Sequence, residues 1–171
     1  IAEITRRCHE AGVVVAVDGA QSAPHLPVNV RDLGADFFAF SSHKMLGPTG
    51  IGILWGRYEL LEKMPVFMVG GHMIDDVALE RATYRPPPLK FEAGTPNIAQ
   101  VLGMGAAMEF LMKLGKNALM KHDREMQEYT FKILNELPFI TVYGPKAFDQ
   151  QRGSISFTVK GVHPHDVAQI L

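Results

Sequence analysis

Residues 13–21 read Val-Val-Val-Ala-Val-Asp-Gly-Ala-Gln. The apolar run is mostly β-branched and has no alternating polar residue, the pattern of a strand buried on both faces, as central parallel strands are. It stops at Asp18, with Gly19 behind it. In open α/β sheets ligands bind just beyond the carboxyl ends of the strands, which is where Asp18 and Gln21 fall. A carboxylate placed there needs a partner, because burying an unpaired charge is costly. A cap in a turn and a contact to a ligand both meet that need.

Working outward, Ile1, Ile4, Cys8 and Ala11 recur at helical spacing before the run, and Gly12 suits a helix stop. After it, residues 27–34 read as a short connection and Asp36 to Ser41 as the next strand. Gly50 to Trp55 reads as a third strand, antiparallel to its neighbour because the link is short. Residues 65–97 are rich in Pro and Gly and are expected to be irregular, as functional segments of compact domains often are. Ile98 to Leu114 predicts a long buried helix in which Gly103 and Gly105 permit close packing, and Asn117 to Leu137 a more amphipathic one. Thr141 to Tyr143 and Ser154 to Val159 alternate like half-buried strands. His163-Pro164-His165-Asp166 opens a last helix, with Pro at a favoured first position. The pattern is α/β at the front, followed by a smaller α+β unit from about residue 115.

Of 171 residues, 47% are hydrophobic and 20% charged, with 17 Lys and Arg against 18 Asp and Glu. That is the balance of a globular protein, and it lacks the basic face that nucleic-acid binding requires. The apolar stretch from Gly12 to Val17 is too short to span a bilayer, so no membrane partner is expected. A lone Cys8 makes no internal disulfide and suits a reducing, cytoplasmic setting. The chain opens on Ile1 inside a helical pattern and closes on Leu171 inside another, and is read as a piece of a longer protein.

Ser41-Ser42-His43-Lys44 follows the second strand. A lysine desolvated at such a place is held as a neutral amine, a nucleophile toward an aldehyde, whereas a solvated loop lysine has no such role. Lys44 precedes its glycines and no Ser or Thr follows it, which excludes a P-loop. Gly50-Ile-Gly52 enters a strand and has Trp55 where a dinucleotide fingerprint needs its third glycine. His163, His165 and Asp166 are read as a helix cap, His122-Asp123 as a solvated face, and Cys8 as a buried thiol, so no metal site is expected.

Four segments in order, Val17-Asp18-Gly19-Ala20-Gln21, Phe40-Ser41-Ser42-His43-Lys44, Gly47-Pro48-Thr49-Gly50-Ile51-Gly52 and Phe91-Glu92-Ala93-Gly94-Thr95-Pro96-Asn97, resemble the group II (SufS/CsdA-like) cysteine desulfurases. These are class V, fold-type I enzymes of the aspartate aminotransferase-like fold that use pyridoxal 5'-phosphate (PLP). The resemblance implies that residues 1–114 are the end of a large PLP-binding domain and 115–171 part of a small α+β domain. It assigns the cofactor-linking lysine to Lys44, the partner of the pyridine nitrogen to Asp18 and that of the phenolic oxygen to Gln21. Ser41 and His43 would hold the phosphate, and Thr95 with Gly94 would reach the phosphate of a partner subunit's cofactor, which implies a homodimer with shared sites. Gly70-Gly71-His72-Met73-Ile74 resembles a stretch near the same interface.

The implied reaction converts L-cysteine to L-alanine. Its sulfur passes to an enzyme cysteine and then to an acceptor protein for iron-sulfur cluster or other use. That cysteine and the arginine for the substrate carboxylate are expected outside this chain, and Cys8 does not match the nucleophile's position. Another class V enzyme (aminotransferase, epimerase or kynureninase-like) and a non-catalytic scaffold are the alternatives.

Overall fold

The computed structural model describes residues 1–145 and 153–171, which fall into two compact units, Ile1–Lys113 and Leu114–Leu171. In the first, helix α1 (Ala2–Glu10) leads to strand β1 (Ala16–Asp18), the short helices α2 (Ser22–His25) and α3 (Val30–Leu33), and strand β2 (Phe37–Ser41). A single 3-10 turn (Ser42–Lys44) precedes strand β3 (Gly52–Gly56) and helix α4 (Tyr58–Lys63). A hairpin of β4 (Ile74–Val77) and β5 (Ala82–Tyr84), a second 3-10 turn (Leu89–Phe91) and helix α5 (Ile98–Leu114) follow.

The main sheet has the order β1-β2-β3, with β1 parallel to β2 and β3 antiparallel to it. Register places Asp18 opposite Ala39 and Ser41 opposite Gly52. The core of this unit is assembled from Ala35, Phe38, Met45, Met73, Met104 and Leu111, all buried.

Several expectations need correction. The valine run is not a strand throughout: only Ala16–Asp18 pairs, and Val13 and Val14 are exposed because β1 is an edge strand here. Helix α1 turns Thr5 inward, not the Ile1, Ile4 and Ala11 stripe, because Thr5 packs where α3 ends, with its methyl 3.6 Å from the position a Cβ on Gly34 would take. Cys8 is half-buried. Residues 27–34 contain α3, whose amino end Asn29 caps by accepting the Arg31 N–H, and which ends at Gly34 with φ 70°. The Pro/Gly-rich segment holds the β4–β5 hairpin, closed by the Ala78 N–H donating to the Arg81 carbonyl. Helix α5 buries a single stripe, Met104, Ala107 and Leu111, and leaves Val101, Leu102 and Met112 exposed. Gly103 is the close-packing glycine: a Cβ there would stand 3.0 Å from Pro48 Cγ, whereas one on Gly105 would meet nothing within 4 Å.

The second unit contains helix α6 (Lys116–Glu136), an antiparallel pair β6 (Ile140–Tyr143) and β7 (Ser156–Val159), and helix α7 (Pro164–Ile170). His163 Nδ1 accepts the His165 N–H, so the histidine pair caps α7 as the sequence suggested.

Candidate active site at the carboxyl edge of the sheet

Parallel pairing puts the carboxyl ends of β1 and β2 on one edge. Asp18 ends β1, and its Oδ1 accepts the Ala20 N–H at 2.8 Å, the Asx turn typical of a residue leaving a strand. The Gly19 N–H donates to the Ala39 carbonyl at 2.7 Å, which fastens that turn to β2. Asp18 and Gln21 are exposed, and Gln21 immediately precedes α2. Turn geometry therefore uses one carboxylate oxygen of Asp18, and no bond to the other occurs among the described residues.

Ser41 closes β2, and the 3-10 turn then carries His43 and Lys44 beyond the end of the sheet. Both are exposed, and neither side chain makes a hydrogen bond or ion pair among the described residues. Lys44 is exposed, although Ser42 before it and Met45 after it are buried. The turn itself is well tied. The Ser42 carbonyl accepts from Met45 N–H at 2.8 Å and Gly47 N–H at 3.1 Å, and the Ser42 N–H donates to the Ile51 carbonyl at 3.1 Å.

The remaining segments are held to the same edge. Asn97 Nδ2 donates to the Gly50 carbonyl at 2.8 Å, joining residues 91–97 to the loop that leads into β3. The Gly94 N–H donates to the Gly71 carbonyl at 2.9 Å, and a Cβ on Gly70 would touch that of Ala93 at 3.4 Å. Gly94 has φ 83°, a conformation that favours glycine. Thr95 is exposed next to it. The structure thus brings together Asp18, Gln21, Ser41, His43 and Lys44 on one sheet edge and links the Gly94-Thr95 loop to that edge through Asn97.

The opposite edge carries a cluster that sequence reasoning missed. Asp36, with its side chain 8% exposed, accepts from Val15 N–H at 2.8 Å, meets His9 Nε2 at 2.8 Å and pairs with Arg57 Nε at 3.1 Å. Burial pushes its carboxyl up, but the Val15 N–H, His9 and Arg57 together outweigh burial and hold it below the usual range. An Asp at the start of a strand was its only signal in the sequence. A concavity of about 480 Å³, lined by Arg31, Trp55, Arg57, Tyr58 and Glu59 among others, opens at this edge and contains none of Asp18, Gln21, Ser41, His43, Lys44, Gly94 and Thr95. Among the described residues, no group of three or more His, Cys, Asp or Glu side chains is placed to hold a metal, and no single helix is long and apolar enough to cross a membrane.

The chain is similar to a probable cysteine desulfurase of Streptomyces coelicolor, 49% identical over 168 residues, which are 98% of this chain and 40% of that protein. It superposes on the apo structure of the cysteine desulfurase from Thermococcus onnurineus with a TM-score of 0.92 at 39% identity, covering 99% of this chain and 42% of that one. A C-DES variant with glycine covalently linked to its PLP cofactor gives a TM-score of 0.84 at 30% identity, covering 97% of this chain and 44% of that one. The chain therefore spans about two fifths of the length of these relatives and shares their fold-type I α/β architecture. The family model for class-V aminotransferases matches residues 1–171, the whole of the chain, and the chain belongs to that family.

Proposed function

We propose that this chain is the part of a PLP-dependent cysteine desulfurase that links and orients the cofactor. The observation that carries the reading is the convergence of Asp18, Gln21, Ser41, His43 and Lys44 at the carboxyl edge of β1 and β2. The donor set fits the group: a free carboxylate oxygen, an amide, a hydroxyl, an imidazole and an unpaired amine, all exposed or half-buried. Identity of 49% to a probable cysteine desulfurase supports this chemistry over an aminotransferase, epimerase or kynureninase-like one and over a scaffold.

When bound, the cofactor supplies an aldehyde for an amine and a protonated ring that takes up electrons from the substrate's Cα. Lys44 would link the cofactor and would take and return the proton at the substrate's Cα as general base and acid. Asp18, with its Oδ1 already steadied by Ala20, would keep the pyridine nitrogen protonated. Gln21 would bond the phenolic oxygen, and Ser41 and His43 would hold the phosphate. Thr95 and Gly94 serve the phosphate in the partner subunit of a homodimer. Residues 1–114 then belong to the large domain and 115–171 to the small one. The substrate is L-cysteine, and the sulfur passes through a cysteine outside this chain to an acceptor protein. The setting is cytoplasmic.

The test is to incubate the full-length protein with PLP, reduce with borohydride and map the pyridoxyl group. An adduct on Lys44, with alanine and sulfide released from cysteine, is the expected result. A folded protein with no adduct on Lys44 overturns the PLP reading, and an adduct without alanine release overturns the desulfurase one.

A further inference from the structure

We infer that Ser42 is a positioning residue for Lys44, acting through a buried contact with Gly47. The inference rests on the proposed role of Lys44 as the cofactor-linking residue. Ser42 is fully buried, and its hydroxyl has no hydrogen-bond partner among the described residues. An unpaired buried hydroxyl is costly, so a fold that retains one has a use for its volume or its position. A Cβ on Gly47 would stand 2.1 Å from Ser42 Oγ, so the hydroxyl fills the space that any side chain at 47 would need. Gly47 is not among the glycines with positive φ, so its lack of a side chain answers to this contact and not to backbone strain. Leu46 beside it does take φ 63° and is 69% exposed, an uncommon conformation for a branched residue that its surroundings must impose.

The backbone agrees. Ser42 alone accepts from Met45 and Gly47 and donates to Ile51, so three bonds and one steric contact converge on the residue two before Lys44. Met45, immediately after Lys44, is buried. Lys44 is thus an exposed side chain on a backbone held at both sides. Such restraint of a reacting group's backbone is how a site keeps productive geometry before its ligand arrives.

The full-length protein tests this with two variants. Ser42→Ala removes the hydroxyl and its unmet bond, so the thermal midpoint of the apo-protein should hold or rise, while borohydride trapping of PLP on Lys44 slows about threefold. Gly47→Ala should slow trapping about tenfold or more, and adding Ser42→Ala should restore it most of the way to the level of Ser42→Ala alone, because the 2.1 Å clash is gone and only the 3.2 Å approach to the residue 42 carbonyl remains. Competitive labelling of Lys44 by acetic anhydride, with Lys63 as internal reference, is followed in parallel. Trapping and labelling that stay at the wild-type level in Ser42→Ala overturn the inference. So does a folded double variant that is no better than Gly47→Ala. If wild-type Lys44 is not trapped at all, the PLP reading fails, and the labelling ratio still decides whether Ser42 sets the surroundings of Lys44.

Discussion

Gly19 crosses the ring of Phe38 so closely that a Cβ on it would lie 2.0 Å from Phe38 Cζ. Phe38 is 2% exposed on β2, the central strand of the sheet, so the ring has nowhere to retreat. The residue after Asp18 is therefore glycine for a packing reason, and the turn that presents Asp18 rests on the core. Gly19→Ala should destabilise the full-length protein by about 3 kcal/mol, the upper part of the range for overpacking a tight core. Urea unfolding measures this, and Phe38→Leu in the same chain should restore part of the loss.

Lys44 takes no part in holding the fold, and its proposed role is chemical. Its side chain is exposed and unpaired among the described residues, so Lys44→Ala should change unfolding free energy by less than about 0.5 kcal/mol. Alanine release from cysteine should fall by about a thousandfold or more, the loss of one group that acts as both base and acid. Paired urea melts and turnover assays distinguish the two effects.

Asp18→Asn keeps an oxygen that can accept the Ala20 N–H but removes the charge. The protein should fold normally, with cysteine turnover lowered by about a hundredfold or more because a neutral amide no longer holds a proton on the ring nitrogen. Asp18→Ala loses the turn contact as well and should cost about 1 kcal/mol of stability in addition.

Asp36 sets an acid limit on stability. Its folded carboxyl titrates below the ordinary value near 3.8, so the unfolded chain takes up the proton first as pH falls. The contribution is fully present above the unfolded value and is lost as pH drops through the folded one. At neutral pH Asp36→Asn should cost about 2 kcal/mol, the loss of charge-assisted bonds to Val15, His9 and Arg57. The gap between variant and wild type should close as pH falls below about 4. Urea unfolding across that range checks both the size and the direction.

Legibility in the sequence followed the range of the interactions. Asp18, Ser41, His43 and Lys44 could be placed because each directly follows an apolar strand, and strand ends are local signals. The antiparallel β3 followed from the short link before it. Val13 and Val14 were misjudged because burial on two faces depends on neighbouring strands, which no local pattern reveals. Asp36 was missed because its partners His9 and Arg57 are remote in sequence, His9 by 27 residues. The hairpin at 74–84 was overlooked because Pro and Gly near it masked two very short strands.

Since β3 returns antiparallel to β2, the chain from Ser41 to Gly52 leaves and re-enters the sheet at the same rim. That rim holds the groups proposed to bind the cofactor, while the far rim is bolted by Asp36. A lineage could therefore lengthen the Ala78–Arg81 turn at little cost, whereas one residue inserted between Ser41 and Gly52 would shift Lys44 relative to Asp18. Under the proposed roles of that pair, the length of the loop is fixed from both of its ends at once.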